Sequence, residues 1–383
     1  KVSGTAAKAS AGGPQLLMNP AKPLTREELV ALRRDIHRHP EVGFREKRTS
    51  ELVRTHLRAL GLAPRTLAGT GVTALIEAPA PGRTLMLRCD LDALPVAEET
   101  AFPFRSANEG VMHACGHDFH TAILLGTAKS LVQQPPAAGR VKLDFQPAEE
   151  GLNGADAMIR DGIMEKPKVD AVLGYHIWQP LPLGKVGVVT GPCMAAVDRF
   201  QVTLRGKGGH AAYPHQSVDP IATAAQIVVA LQTIVARNLS PVDTGVVTVG
   251  RIEGGSAFNI IPPEVRLEGT VRTFSREAGR IIPRRFREIV SGVARAMGAR
   301  AEIQYHREHG PVVNDAKMAD FVREVARDVL GRRNVVEAEP SMGGEDHSAY
   351  QALVPGCYFF IGSAPRKGEV FAHHHPRFNP DED

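Results

Sequence analysis

The chain has 383 residues, 43% hydrophobic and 23% charged, enough for two domains and a large core. Lys plus Arg number 46 against 42 Asp plus Glu, a formal net charge of +4 that suits small anionic substrates and gives no reason to invoke nucleic acid. Four cysteines without a C-x-x-C pair exclude a disulfide framework and point to a reducing compartment, the cytoplasm, while the lack of an apolar run of about 18 residues argues against a membrane span.

Residues 1–20, rich in Ala, Gly, Ser and Lys, lack the apolar core of a signal peptide and read as a mobile tail. Thr25-Arg26-Glu27-Glu28 fits a capping box, and Leu29, Leu32, Arg33 and Ile36 follow at helical spacing until Pro40 and Gly43. A second helix runs through Thr49, Leu52, Val53, Leu57 and Leu60 and stops at Gly61. His37, His39 and His56 have no ligand set near them and read as surface or supporting residues. Gly69-Thr70-Gly71 has the outline of a dinucleotide fingerprint, but a strand rather than a helix follows it, so a hairpin-like turn is expected.

The run from Arg83 to Asp92 is apolar enough for a strand buried on both faces, and Asp90 and Asp92 share a side at its end because the strand period is two. Next comes His113-Ala114-Cys115-Gly116-His117-Asp118-Phe119-His120. Cys115 and His117, two apart, suit a loop wrapped around an ion, and thiolate with neutral imidazole is a ligand pair for zinc and neighbouring transition metals. Thr121 to Val132 reads as a helix packed on a sheet. The strand Val141 to Phe145 runs into Gln146-Pro147-Ala148-Glu149-Glu150; the strand Val169 to Tyr175 ends at His176; the strand Cys357 to Gly362 precedes a loop with His373, His374 and His375. In an open α/β sheet the C-terminal strand ends lie side by side, so residues scattered from 90 to 375 can meet in one site.

Residues 191–305 are patterned differently. Arg199 to Gly206 alternates as a half-exposed strand should, and helices over Ile221 to Asn238 and Ser275 to Met297 interleave with strands over Thr244 to Ile252, Glu264 to Thr273 and a last one ending at Tyr305. This predicts an α+β sandwich with one sheet face covered, inserted into a domain made of residues 21–190 and 306–383. The fold class expected is therefore α/β, a mostly parallel sheet flanked by helices, with an inserted α+β domain. Within the insert, Gly208-Gly209-His210 leaves His210 on a sharp turn, Asn259 sits in a loop and Arg272 ends a strand. Arg280, Arg284, Arg285 and Arg287 read as a solvated helix face.

Several segments together resemble the M20 metallopeptidase family, in its branch of aminoacylases, hippurate hydrolases and auxin-conjugate hydrolases. They are Arg38-His39-Pro40-Glu41, Asp90-Leu91-Asp92-Ala93-Leu94-Pro95, His113 to Asp118, Gln146 to Glu150, Gly208 to Ala211, Phe258-Asn259-Ile260-Ile261-Pro262, Gly344-Glu345-Asp346 and His374-His375-Pro376-Arg377-Phe378, in family order. The resemblance implies a zinc-peptidase-like catalytic domain, with the insert serving as dimerisation and lid domain. It implies two divalent ions (Zn, Mn, Co or Ni) held by Cys115, His117, Glu150, His176 and His374, the His-x-Pro pattern selecting His374 among its neighbours. Glu149 would be the general base, and His210, supplied by the partner subunit of a homodimer or tetramer, would stabilise the oxyanion. Asn259 and Arg272 would hold the substrate carboxylate. Asp90 stands where other branches keep a ligand, and Asp90 and Asp92 are read as supports behind the ligands. Cys89 is read as core, and His347, where the family commonly has Phe, as altering a pocket edge. Trp178 is open between lining the acyl pocket and packing in the core. The implied activity is hydrolysis of N-acyl amino acids to a carboxylic acid and a free amino acid. A dipeptidase or carboxypeptidase of the same fold is the near alternative. A protein that only binds metal or acyl amino acid is the distant one, which the presence of Glu149 beside a full ligand set disfavours.

Overall fold

The computed structural model describes Met18 and residues 21–383; the expected mobile tail over residues 1–20 lies, Met18 apart, outside the described residues. Thr25 caps α1 (Arg26–Arg38), its hydroxyl accepting from the Glu28 N–H at 3.2 Å. α2 (Lys47–Ala59) buries Leu52, Val53 and Leu57. Then β1 (Arg65–Leu67) and β2 (Gly71–Glu77) pair antiparallel, so the glycine-rich stretch is a hairpin turn, as expected. β3 (Ala80–Asp90), α3 (His117–Gln133), β4 (Ala138–Gln146), the single distorted turn α4 (Glu149–Leu152), α5 (Gly154–Arg160), β5 (Ala171–Pro182), β6 (Val186–Val188) and β7 (Gly191–Met194) follow.

A second sheet comes next: β8 (Ala196–Arg205), β9 (Gly209–His210), α6 (Pro220–Asn238), β10 (Gly245–Gly254), β11 (Ile260–Ile261), β12 (Glu264–Thr273), α7 (Arg276–Ala296) and β13 (Arg300–His309). The chain closes with β14 (Val312–Asn314), α8 (Ala316–Leu330), β15 (Val335–Glu337), the short α9 (Ser348–Gln351) and β16 (Gly356–Ala364).

The eight-stranded sheet has the order β1-β2-β4-β3-β5-β16-β6-β15. Its centre, β4-β3-β5-β16, is parallel throughout, and antiparallel pairings occur only towards its flanks, making it mixed but mostly parallel. The register puts Asp90 beside Gln146 and Arg88 beside Gly174, so β3 and β4 end at the same level while β5 continues. His176 therefore lies inside β5, paired with Phe360 of β16, and not beyond a strand end as its sequence position suggested. The reason is that β5 has β16 as a second parallel neighbour, which sustains its ladder after β3 stops. The helix after the Cys/His cluster likewise starts earlier than expected, at His117, with Gly116 in the left-handed region at φ 91° turning the chain into it.

The four-stranded antiparallel sheet has the order β10-β12-β8-β13, with α6 and α7 covering one face around Phe200, Leu231, Ile234, Phe286 and Val290. β13 runs on to His309, beyond the strand end expected at Tyr305. By length and composition α6 is apolar enough to cross a membrane, contrary to the expectation that no such segment exists; here its Ala224, Ile227, Leu231 and Ile234 sit in the core of this sheet. His37 and His56 are buried rather than superficial: His37 Nδ1 lies 2.8 Å from Asp118 Oδ2, and His56 lies under α2 with Met18. Only His39 is partly exposed, donating to the Asp35 carbonyl at 2.9 Å.

Candidate metal centre

At the end of the parallel strands, two sets of ligand atoms share one sulfur. Cys115, His117 and His176 form one set, and Cys115, Glu150 and His374 the other; within each, the candidate atoms lie within 4.8 Å of one another. Cys115 Sγ is 3.3 Å from His176 Nε2, and Glu150 Oε1 is 3.2 Å from His374 Nε2. The five residues come from the turn before α3, the first residue of α3, the turn after β4, β5 and the loop after β16. Of the three successive histidines, only His374 joins a set. Its backbone, at φ 67°, donates to the Ala114 carbonyl at 2.8 Å. His373 turns inward to donate to the Ile177 carbonyl at 3.0 Å, and His375 stacks on Phe371.

The ring orientations are set by neighbouring acceptors and donors. His176 Nδ1 donates to the Ile177 carbonyl at 2.5 Å, which leaves Nε2 with a lone pair facing Cys115. Asp92 lies 3.4 Å from His117 Nδ1 and also accepts the N–H groups of Glu149 and Glu150, at 3.0 Å each. Asp90 Oδ1 lies 3.7 Å from His117 Nδ1, and Asp90, His117 and His120 form a further set of candidate ligand atoms. Asp90 takes a 2.6 Å hydrogen bond from His120 Nδ1, whose other nitrogen accepts the Ile177 N–H, and a 2.9 Å contact from Arg88. Both aspartates thus contact the His117 ring nitrogen, at 3.4 Å from Asp92 and 3.7 Å from Asp90. Trp178 bridges outward from the site, stacked on Phe360 at 4.4 Å and edge-on to His176.

Electrostatics favour a cation here. His117 Nε2 is buried with no hydrogen-bond partner among the described residues, and buried Glu150 Oε1 has the His374 ring nitrogen at 3.2 Å beside it. Burial, then the Glu150 and Glu149 carboxylates, push the Cys115 thiol well above its usual range. Burial, then Glu345, Glu150 and Asp346, push Glu149 upward as well. Burial alone would lower His117, but Asp90, Asp92 and Glu150 outweigh it and raise it to about 10. His176 goes the other way, held neutral by burial and by His120 and His373. Such a crowd of acids asks for compensating positive charge, and the soft sulfur with imidazoles and a carboxylate fits a divalent transition metal.

Glu149 stands between the ligand sets and a second acidic group, within 4.8 Å of His117 and Glu150 on one side and of Glu345 and Asp346 on the other. His210, Asn259 and Arg272 are not gathered in the same way. His210 on β9 and Asn259, just before β11, its antiparallel partner, are exposed, Arg272 lies half-buried on β12, and among the described residues none of the three bonds to a ligand residue. His347 is not at a pocket edge: it is fully buried under β5, against Gly174 and Tyr358. Cys89 is core, as expected.

The model of peptidase family M20/M25/M40 matches residues 86–383. The chain belongs to this family. An N-acetyl-L-cysteine deacetylase of Bacillus subtilis is 42% identical over 367 residues, covering 95% of this chain and 86% of that protein. A thermostable carboxypeptidase of Saccharolobus solfataricus is 39% identical over 93% of this chain and 91% of that protein. A crystal structure of a dinuclear metal-binding M20 peptidase of Bacillus subtilis superposes with a TM-score of 0.80 at 37% identity, covering 93% of both chains.

Some residues of this M20 site escaped the sequence reading. Arg88, fully buried on β3, reaches Asp90, Glu345 and Asp346 at 2.9–3.0 Å and Gln146 at 2.8 Å, organising the acids behind Glu149. The available signal was an arginine inside an otherwise apolar strand, which demands a buried partner. Glu46, which contacts the turn that carries Glu149, had no such signal.

Proposed function

We infer that the protein is a metal-dependent amidohydrolase that cleaves N-acyl amino acids into a carboxylic acid and a free amino acid. The observation that supports this most directly is the pair of ligand sets joined at Cys115 with Glu149 beside them. Cys115, His117, Glu150, His176 and His374 would hold two divalent ions. When bound, these ions supply Lewis-acid polarisation of the amide carbonyl and make the attacking water more acidic. Glu149 takes the proton of that water and returns it to the leaving nitrogen. Its location between the ligand sets and the buried acids keeps its carboxylate basic enough for the task. His210 donates to the developing oxyanion, and Asn259 with the Arg272 guanidinium holds the substrate's free carboxylate.

For His210 and Asn259 to act, the β9–β11 pair beside which they sit must meet a ligand set that it does not touch within one chain. A homodimer through residues 191–305, acting as dimerisation and lid domain, supplies that meeting. The fully exposed Phe258, with Tyr213 and Ile260 beside His210, supports a surface that a partner covers. A monomeric mass by light scattering at assay concentration argues against this arrangement. Four buried free thiols support a cytoplasmic location, which cell fractionation checks.

The decisive experiment strips the protein with chelator and reconstitutes it separately with Zn, Mn, Co and Ni. Each form is then assayed on acetyl and benzoyl amino acids and on free dipeptides. Turnover is expected only after reconstitution, and faster on the acylated substrates. Glu149→Gln is expected to keep its metal and lose about 10²–10⁴-fold in kcat. Activity indifferent to chelator sinks the metal reading, faster dipeptide hydrolysis favours a peptidase, and binding without product leaves only a binding protein.

A further inference from the structure

The turn that presents Glu149 and Glu150 has an unusual backbone. Ala148 lies in the left-handed region at φ 57° and ψ 44°, Glu150 departs from helix at ψ 75°, and Gly151 returns to φ 73°. A left-handed alanine is unfavourable because its Cβ crowds the following carbonyl oxygen, so neighbouring contacts must hold it. Its effect is to aim adjacent side chains differently. Both carboxylates lie near His117, but Glu150 also joins Cys115 and His374, whereas Glu149 reaches towards Glu345 and Asp346.

Three successive N–H groups of this turn point inward, and each meets a buried carboxylate. The N–H groups of Glu149 and Glu150 go to Asp92. That of Ala148 goes to Glu46 Oε1 at 2.9 Å. Consecutive amides in such a conformation form an anion-binding nest, and here the protein fills it with its own acids. Glu46 is fully buried, immediately ahead of α2, and its other oxygen accepts the Thr70 hydroxyl at 2.6 Å. It therefore ties α2, the β1–β2 hairpin and the turn at one point. Packing closes around the same place: a Cβ on Gly43 would come within 3.1 Å of Ala148 and 2.8 Å of Leu152.

We propose that Glu46 is a positioning residue for catalysis, its carboxylate locking the left-handed Ala148 so that Glu149 and Glu150 face their separate tasks. The proposal rests on the reading of Glu149 as base and Glu150 as ligand. Glu46 itself touches neither substrate nor ion.

The test compares Glu46→Ala with Glu46→Gln in the full chain. The glutamine oxygen can accept the Ala148 N–H while its NH2 donates to the Thr70 hydroxyl, so both links survive without the charge. Glu46→Ala removes them. In metal-reconstituted enzyme, Glu46→Ala is expected to lower kcat about 10²-fold with KM within about threefold, and Glu46→Gln to restore kcat to within about threefold. Hydrogen exchange of the peptide spanning 146–153, measured in chelator, is expected to quicken about tenfold in Glu46→Ala and not in Glu46→Gln. Glu46→Ala with unchanged kcat and unchanged exchange overturns the proposal. If Glu46→Ala does not fold, a Glu46→Gln enzyme with kcat about 10²-fold down overturns it just as well, and a retained kcat supports it. Exchange is read without metal or substrate, so a failure of the base assignment, seen as an active Glu149→Gln, is separate from a failure of the clamp.

Discussion

Replacing Arg88 by methionine removes a cation that three buried carboxylates share. The guanidinium sits 2.9 Å from Asp90, 3.0 Å from Glu345 and 3.0 Å from Asp346, all at most 3% exposed, and its Nε donates to Gln146 at 2.8 Å. Methionine matches the length of the stem and adds no polar group. Breaking a buried ion pair by deleting one partner costs about 3–5 kcal/mol, because the other charge is left uncompensated. Asp90 keeps His120 Nδ1 at 2.6 Å, but Glu345 and Asp346 lose the guanidinium, and the cost corresponds to a fall in melting temperature on the order of 10 °C. The pH dependence gives a second handle. Burial and the Glu345 carboxylate already hold Asp346 well above its usual range against the pull of Arg88; without Arg88 it rises further, and a carboxylate raised in this way loses stability as pH climbs from its unfolded value towards its folded one. The deficit of Arg88→Met should therefore be larger at pH 8 than at pH 5.5. Thermal unfolding followed by circular dichroism in chelator, at both pH values, measures it. A melting temperature within about 2 °C of the parent, or a deficit equal at the two pH values, would refute the reasoning.

Two further predictions concern neighbouring positions. His347 is buried with both ring nitrogens unpartnered among the described residues, and burial, then Arg88, hold it well below the ordinary histidine range. It is neutral when folded and binds a proton when unfolded, so its contribution is lost as pH falls below about 6.5. Whatever packing offset His347→Phe introduces, its stability relative to the parent should rise by about 1.4 kcal/mol per pH unit below pH 6; a flat difference between pH 5 and 7.5 contradicts this. A Cβ on Gly154 would fall 1.6 Å from the Pro147 carbonyl oxygen, a backbone atom that cannot swing aside. Gly154→Ala should therefore destabilise by about 1–3 kcal/mol or more and lower kcat by displacing the Glu149 turn, and an unaffected kcat would show that the turn is not held there.

Much of the site is legible in local pattern because its chemistry is local. Cys115 and His117 are neighbours in sequence, Glu149 and Glu150 are adjacent at a strand end, and Asp90 and Asp92 share a side by strand periodicity. The helix starting at Arg26 is announced by Thr25 and Glu28, and the turn before Gly71 by the strand that follows it. The sequence pattern puts His176 past a strand end, whereas it lies inside β5, because what prolongs β5 is β16, nearly two hundred residues along the chain. His347 was misread as an edge residue for the same kind of reason, since Gly174 and Tyr358, which enclose it, are remote in sequence.

By itself, then, the order of amino acids determines which strands are buried, where a helix with its own cap such as α1 begins and which side chains can bind a metal, since these follow from periodicity, caps and donor chemistry within a few residues. Tertiary structure alone decides that Arg88 meets Glu345 and Asp346, that Glu46 meets Ala148, and that His374 rather than His373 faces Glu150. Those contacts span up to 258 residues and come from the strand order and register of the central sheet, where the energy of packing is shared among elements that carry no mark of one another in sequence.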